Sequence, residues 1–292
     1  MKIKPQCVPC LLKRIIYETE LSTQNDNLRA KALSAALATM SKEYNPCKCS
    51  ADIATKVHKA AYQVLDDRDP YKELKKQSNK IALSLLPIVE NLIQKSQNPL
   101  KTSMACSIIG NIMDFGIDGA PNDPTALSEM FEEKFNEGLG HNDLVQVEQI
   151  LKNARHVVFI TDNCGEIVFD KLVCRELKQF NKHIHLTLVV RGEPILTDAT
   201  LEDAQQLGFS TVVDNIVTTG SFAVGINFAK LPENLRCLFD KTDLIICKGM
   251  ANYEAFSETT YRPIVYLLRI KCDAVADDMN LPADISAIKL YT

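Results

Sequence analysis

The sequence predicts an α/β protein in which an N-terminal all-helical subdomain packs on a Rossmann-like three-layer α/β/α core with a mostly parallel sheet. Three observations lead there. Apolar residues recur at three- and four-residue intervals from position 11 to about 140, the rhythm of helices with one buried face. After about 142 the rhythm changes to short β-rich runs separated by helical stretches. Those runs are continuously apolar, as strands are when helices cover both faces of a parallel sheet. The expected division is 1–141 for the helical subdomain and 142–292 for the sheet domain, and a chain of 292 residues is long enough for two lobes.

In order along the chain, Leu11, Leu12, Ile15 and Ile16 open the helical half, and Ile81, Leu85, Ile88, Val89 and Leu92 repeat its spacing. Breaks are expected at Asn45-Pro46, Asp69-Pro70, Asn98-Pro99 and Gly119-Ala120-Pro121-Asn122-Asp123-Pro124, because proline disfavours the helical conformation of the residue before it. Lys72, Lys75, Lys76 and Lys80 fall at helical spacing among polar residues and read as a solvated face. The expected strands are His156 to Ile160, His185 to Val190, Leu244 to Cys247 and Ile264 to Leu268. No internal repeat and no flexible linker separates the halves, so they are expected to pack tightly.

A hydrophobic content of 46% supports a sizeable core, and a net charge of -4 without a long basic block argues against a nucleic-acid partner. A small ligand fits better. No run approaches the roughly 18 apolar residues of a membrane span. Met1-Lys2-Ile3-Lys4-Pro5 lacks a signal-peptide apolar region, so a cytoplasmic location is expected. Nothing in the residues fixes the oligomeric state.

Ligands of open parallel sheets bind beyond the carboxyl ends of the strands, and here those loops are polar. The first strand runs into Thr161-Asp162-Asn163-Cys164-Gly165-Glu166, the second into Arg191-Gly192-Glu193-Pro194-Ile195-Leu196-Thr197-Asp198, and a later one into Lys248-Gly249-Met250-Ala251-Asn252-Tyr253-Glu254. Asp162, Asn163 and Asp198 form an all-oxygen set suited to a hard divalent cation with open coordination positions. Lys248 offers a positive charge, and Gly249 lets backbone amides approach a phosphoryl group. Each residue also has a plain structural reading. Asp162 or Asn163 serves equally well as a cap for a helix beginning near Glu166, Asp198 as a cap for the helix of Leu201 and Ala204, and Lys248 alone reads as a surface cation. In Gly110-Asn111-Ile112-Met113-Asp114-Phe115-Gly116, Asn111 and Asp114 share a helical face that could meet the crevice, although a helix ending near Gly116 with Asp114 exposed explains them as simply.

At these loops the chain resembles the domain-of-unknown-function eighty-nine family, the damage-control phosphatases, in its prokaryotic branch. The resemblance runs in order through Cys7-Val8-Pro9-Cys10, Ser50-Ala51-Asp52-Ile53-Ala54-Thr55, Asp69-Pro70-Tyr71 and the Gly110 to Gly116 segment. It continues through Thr161 to Asp170, Val190 to Ala199, Thr218-Thr219-Gly220-Ser221 and Lys248 to Glu254. It implies a metal-dependent phosphatase hydrolysing small phosphorylated metabolites such as sugar phosphates, nucleotides or cofactor fragments. The implied metal ligands are Asp162, Asn163 and Asp198, for Mg²⁺, Mn²⁺, Co²⁺ or Ni²⁺. Asp162, Asp198 and Lys248 are the implied catalytic residues, with Asn111, Asp114, Glu166, Arg191, Lys248, Gly249 and Asn252 at the substrate. Cys164 stands where Ala is common and Met250-Ala251 where Gln-Gly is frequent, departures that remove no ligand.

Of ten cysteines, Cys7 and Cys10 have the spacing of half a zinc site, which Cys47 and Cys49 would complete if the segments meet; a redox pair and inert thiols are the other readings. Cys106, Cys174 and Cys237 lie in apolar-periodic surroundings and are expected in the core. Two rival functions remain. A haloacid-dehalogenase-type phosphatase would use Asp162 as nucleophile, with Asp277-Asp278 downstream, but it needs an acid where Cys164 stands. A non-enzymatic metal or redox sensor would work through Cys7 and Cys10. A dinucleotide oxidoreductase lacks its GxGxxG, and no glycine-rich loop supports a methyltransferase.

Overall fold

A computed structural model of the chain describes residues 1–112 and 124–292. Among the described residues, six helices precede the central sheet: α1 (Cys7–Ser22), α2 (Asp26–Glu43), α3 (Ser50–Leu65), α4 (Lys72–Lys95), α5 (Pro99–Ile112) and α6 (Pro124–Glu137). Pro99 and Pro124 are first residues of their helices, where the missing N–H has no intrahelical partner to lose. The break between α1 and α2 carries no proline. Asn25 makes it, accepting hydrogen bonds from the Asn27 and Leu28 amides, a cap that stabilises the following helix by about 1 kcal/mol. Helices α1 to α3 close on Ile15, Ala36, Met40, Ile53, Val57 and Ala61.

The sheet half contains β1 (His141–Asn142), α7 (Leu144–Asn153), β2 (His156–Ile160), α8 (Glu166–Phe180), β3 (His185–Val190), α9 (Leu201–Gln206) and β4 (Asn215–Thr218). It continues with α10 (Glu233–Lys241), β5 (Leu244–Lys248), α11 (Gly249–Phe256), β6 (Ile264–Arg269), α12 (Asp273–Met279) and β7 (Ser286–Tyr291). Strand order is β1-β7-β6-β5-β2-β3-β4, parallel throughout except for the antiparallel pair β6 and β7. The four expected strands are β2, β3, β5 and β6. Side chains alternate between two cores: Val157, Phe159, Leu188 and Ile246 lie under α5, α7 and α8, and Val158, Ile160, Ile245 and Tyr266 lie under α10, α11 and α12. Each large side chain so buried contributes roughly 1.5–3 kcal/mol. The fold is therefore the expected three-layer α/β/α sandwich with added helices. Leu100, Met104 and Ile108 of α5 belong to the sheet's own core, so the helical segment and the sheet share interior across position 141.

The basic stretch of α4 is not the uniformly solvated face that its spacing predicts. Lys72, Lys76 and Lys80 are exposed, but Lys75 is only 4% exposed and pairs with Asp69 at 2.6 Å. Its side of α4 docks on the loops of the sheet: four residues on, Asn79 accepts the Gly165 N–H at 2.7 Å and reaches Asp203 at 3.3 Å. No described helix is long and apolar enough to cross a membrane.

From β2 the chain steps outward to β3 and β4, then crosses to β5 and β6 on the other side. The carboxyl ends of β2 and β5 thus flank a topological switch point, where the loops on either side diverge and leave a crevice.

Candidate active site

Two loops meet over that crevice. Cys164 donates its N–H to the Thr197 carbonyl at 2.7 Å, Ala199 donates to the Asp162 carbonyl at 2.7 Å, and Asn163 and Asp198 pair as an isolated antiparallel bridge. Leu196 takes a left-handed backbone, φ +50°, which turns the second loop so that Asp198 donates its N–H to Ile195. A non-glycine residue held there costs about 1 kcal/mol, strain typical of functional loops.

The pairing places Asp162 and Asp198 on either side of Arg191. The Arg191 Nε donates to Asp198, and its Nη2 lies 3.5 Å from Asp162 Oδ1. Neither Nη nitrogen has a hydrogen-bond partner among the described residues, although the side chain is 1% exposed. Asn163 Nδ2 donates to Asp162 Oδ2 at 2.7 Å, Asn111 Nδ2 does so at 3.4 Å, and Asn163 Oδ1 accepts the Thr197 hydroxyl at 2.6 Å. Gly249, with φ +73°, brings the start of α11 against Asp162; a Cβ here would fall 1.9 Å from Asp162 Oδ2. Asn252 braces the turn, donating to the carbonyls of Thr161 at 3.0 Å and Lys248 at 2.7 Å.

Behind the loops Lys248 is fully buried. Its ammonium donates to Asp170 at 2.8 Å, Glu166 at 3.2 Å and the Ser107 carbonyl at 3.3 Å. The other Glu166 oxygen accepts the Asn163 N–H at 2.8 Å, which links this cation to the loop of Asp162 and Asn163. Burial, with Asp198 and Glu166 beside it, pushes the Asp162 carboxyl well up against the pull of Arg191 and Lys248. Burial also raises Asp198 although Arg191 opposes it, and takes Asp170 up to about 6 despite Lys248. Burial alone would weaken the Lys248 ammonium, but Asp170 and Glu166 outweigh it and hold its pKa above the usual lysine value.

The structure brings Asp162, Asn163, Asp198, Arg191, Gly249 and Asn111 together, with Glu166, Lys248 and Asn252 supporting them from within; Asp114 lies outside the described residues. The capping readings do not describe these side chains. Gly165 occupies the N-cap of α8 with no side-chain bond, and Thr200 caps α9 in a reciprocal pair with Asp203. The surface reading of Lys248 likewise gives way to 0% exposure, because β5 lies inside the sheet. Cys106 and Cys174 are buried, whereas Cys237 is exposed: it lies on the Glu233 side of α10, whose core side chains are Leu235 and Phe239. Residues 1–3 and 48–50 pair through their backbones, but no described group of three or more His, Cys, Asp or Glu residues is arranged to hold a metal ion, and all ten cysteines are free. Ser107 and Thr197 join the site without a role expected from the sequence, and Lys75 lies beside it although its spacing reads as a solvated face. Asp170 had a visible signal, a carboxylate inside the apolar run Ile167 to Val173.

Residues 3–284 match the family described as Damage-control phosphatase ARMT1-like domain. A protein of Archaeoglobus fulgidus named Damage-control phosphatase is 37% identical over 281 residues, covering 96% of each chain. An uncharacterised protein of Methanocaldococcus jannaschii is 32% identical over 288 residues, covering 96% of this chain and 93% of its own length. The crystal structure of a DUF89 family protein from Pyrococcus horikoshii superposes with a TM-score of 0.92 over 100% of both chains at 27% identity.

Proposed function

The chain belongs to the damage-control phosphatase family, and from that premise we propose that it hydrolyses small phosphorylated metabolites with a divalent cation held by Asp162, Asn163 and Asp198. One observation carries the metal. Asp162, Asp198, Glu166 and Asp170 are buried together, and the buried cations among them are Arg191 and Lys248, which leaves an excess of two negative charges. Lys75, which also acts on Asp198, brings its own counter-charge, since it pairs with Asp69 at 2.6 Å. An uncompensated buried charge is disfavoured by several kcal/mol, so the site as built favours proton uptake or a dication. The donors nearest the crevice are oxygens, the preference of Mg²⁺ and Mn²⁺, with Co²⁺ and Ni²⁺ as further candidates. The acids Asp162 and Asp198 would hold such an ion, and the Asn163 carboxamide oxygen, which here accepts the Thr197 hydroxyl while the amide nitrogen faces Asp162, would join them with the amide turned over. When bound, it would supply charge neutralisation and Lewis-acid polarisation of a phosphoryl oxygen.

The chain's own groups do the rest. Arg191 has two Nη nitrogens without a hydrogen-bond partner among the described residues, one of them 3.5 Å from Asp162, to offer phosphoryl oxygens, and Lys248 adds a fixed positive charge nearby, so donors are preorganised where negative charge develops. Asn111 orients Asp162, and Glu166 fixes the Asn163 backbone. Displacement proceeds without a covalent intermediate. The residue two beyond Asp162 is Cys164, which packs in the sheet core and offers no acid for the haloacid-dehalogenase alternative.

The test uses purified protein stripped with a chelator and assayed on phosphorylated sugars, nucleotides and cofactor fragments with each metal in turn. Hydrolysis is expected only after metal addition and is expected to vanish in Asp162→Asn and Asp198→Asn that keep their circular dichroism. Full activity without metal, or a trapped phosphoaspartate at Asp162, overturns the proposal.

A further inference from the structure

Lysine carries three N–H donors on a flexible stem, so a buried lysine points where its acceptors hold it. All three Lys248 donors are taken. Asp170 and Glu166, four residues apart and so on one face of α8, grip it at 2.8 and 3.2 Å, and the Ser107 carbonyl is the longest contact at 3.3 Å. The Asp170 oxygen that accepts from Lys248 also accepts the Ser107 hydroxyl at 2.5 Å, while its other oxygen has no hydrogen-bond partner among the described residues. Ser107 reaches it because α5 lies tight on α8: a Cβ on Gly110 would sit 2.7 Å from the Phe169 ring. Ser107, Asp170 and Lys248 are each 0% exposed. A buried ion pair of this kind adds little net stability over an apolar filling of the same volume, so stability alone does not account for it.

We propose that Asp170, fixed by Ser107, is a positioning residue that aims the Lys248 ammonium at the substrate phosphoryl group, a role that rests on the phosphatase reading above. Asp170 and Glu166 keep their grip on the amine, and a phosphoryl oxygen replaces the longer contact to the Ser107 carbonyl. The lysine thus enters the reaction with its direction already set, and the ordering is done by the fold.

The test compares Asp170→Asn, Ser107→Ala, Lys248→Met and the double variant Asp170→Asn/Lys248→Met, with p-nitrophenyl phosphate and saturating Mn²⁺. At saturating Mn²⁺, Asp170→Asn is expected to lower kcat/KM by about 10- to 100-fold and to weaken inhibition by inorganic phosphate in parallel. Adding Asp170→Asn to Lys248→Met is expected to change kcat/KM by less than about 2-fold, because the partner through which Asp170 acts is gone. Independent, multiplying losses overturn the proposal, as does Asp170→Asn with wild-type kcat/KM. Ser107→Ala, expected to lose about 3- to 10-fold, carries the test if Asp170→Asn does not fold. A wild-type protein that hydrolyses nothing refutes the phosphatase reading instead; calorimetric binding of inorganic phosphate, weakened in Asp170→Asn or not, then decides the positioning role.

Discussion

Gly249→Ala is the sharpest single probe of the site. The added Cβ would lie 1.9 Å from Asp162 Oδ2 and 2.3 Å from its Cγ, against the 3.0 Å that carbon requires, so Asp162 must move by about 1.1 Å. The left-handed backbone of φ +73° adds about 1–2 kcal/mol of strain for any L side chain. Gly138→Ala separates the two effects, since Gly138 has the same φ of +73° with nothing within 4 Å of an added Cβ. A misplacement of roughly 1 Å at a reacting centre lowers rate on the order of 100-fold. The expectation is a fall of about that size in kcat/KM for Gly249→Ala, with weaker Mn²⁺ binding, while Gly138→Ala keeps activity and loses only the strain energy in thermal unfolding. Steady-state kinetics and metal titration on both variants decide it. A Gly249→Ala enzyme within about 3-fold of wild type refutes the reasoning that Asp162 is held by this contact.

Further outcomes follow from the same buried charges. Mn²⁺ at about 100 times its Kd should stabilise the wild type by roughly 2.7 kcal/mol, seen as a rise in Tm, and should leave Asp162→Asn and Asp198→Asn unmoved. For Asp170 the folded pKa, about 6, exceeds the unfolded 3.8, so the folded state binds the extra proton; its contribution is full below the lower value and is lost as pH rises to about 6. Metal-free protein should therefore lose stability on the order of 2–3 kcal/mol across that window in denaturant titrations, and Asp170→Asn should remove this part of the slope. Lys75→Ala should destabilise by about 3 kcal/mol by leaving Asp69 half-buried and unpaired, whereas Lys76→Ala should stay within about 0.5 kcal/mol. Equal effects of the two lysine changes would contradict the docked position of α4.

How much was legible depended on whether a residue's partner was encoded nearby. Strands β2 and β3 were readable to the residue because both faces are buried, which forces an unbroken apolar run. Strand β4 escaped because it is a half-exposed edge of four residues, and β7 because its three later residues are only partly buried. Asp162, Asn163 and Asp198 stood out since polar loops after apolar strands are conspicuous. Lys75 read as solvent-facing although its partner Asp69 is close in sequence, because its side of α4 docks, through Asn79, on a loop more than eighty residues away.

Periodicity and strand-end loops are local properties of the chain, so the residues alone specified the layered α/β architecture and the polar loops that carry Asp162, Asn163 and Asp198. Only the folded arrangement showed that these side chains do not cap helices, and which charges surround them. The positions of Arg191 between two carboxylates, and of Lys248 beneath Glu166, Asp170 and Ser107, follow from strand order and from the seating of α5 on α8. Buried electrostatics depend on distances between remote segments, and only the fold sets those distances.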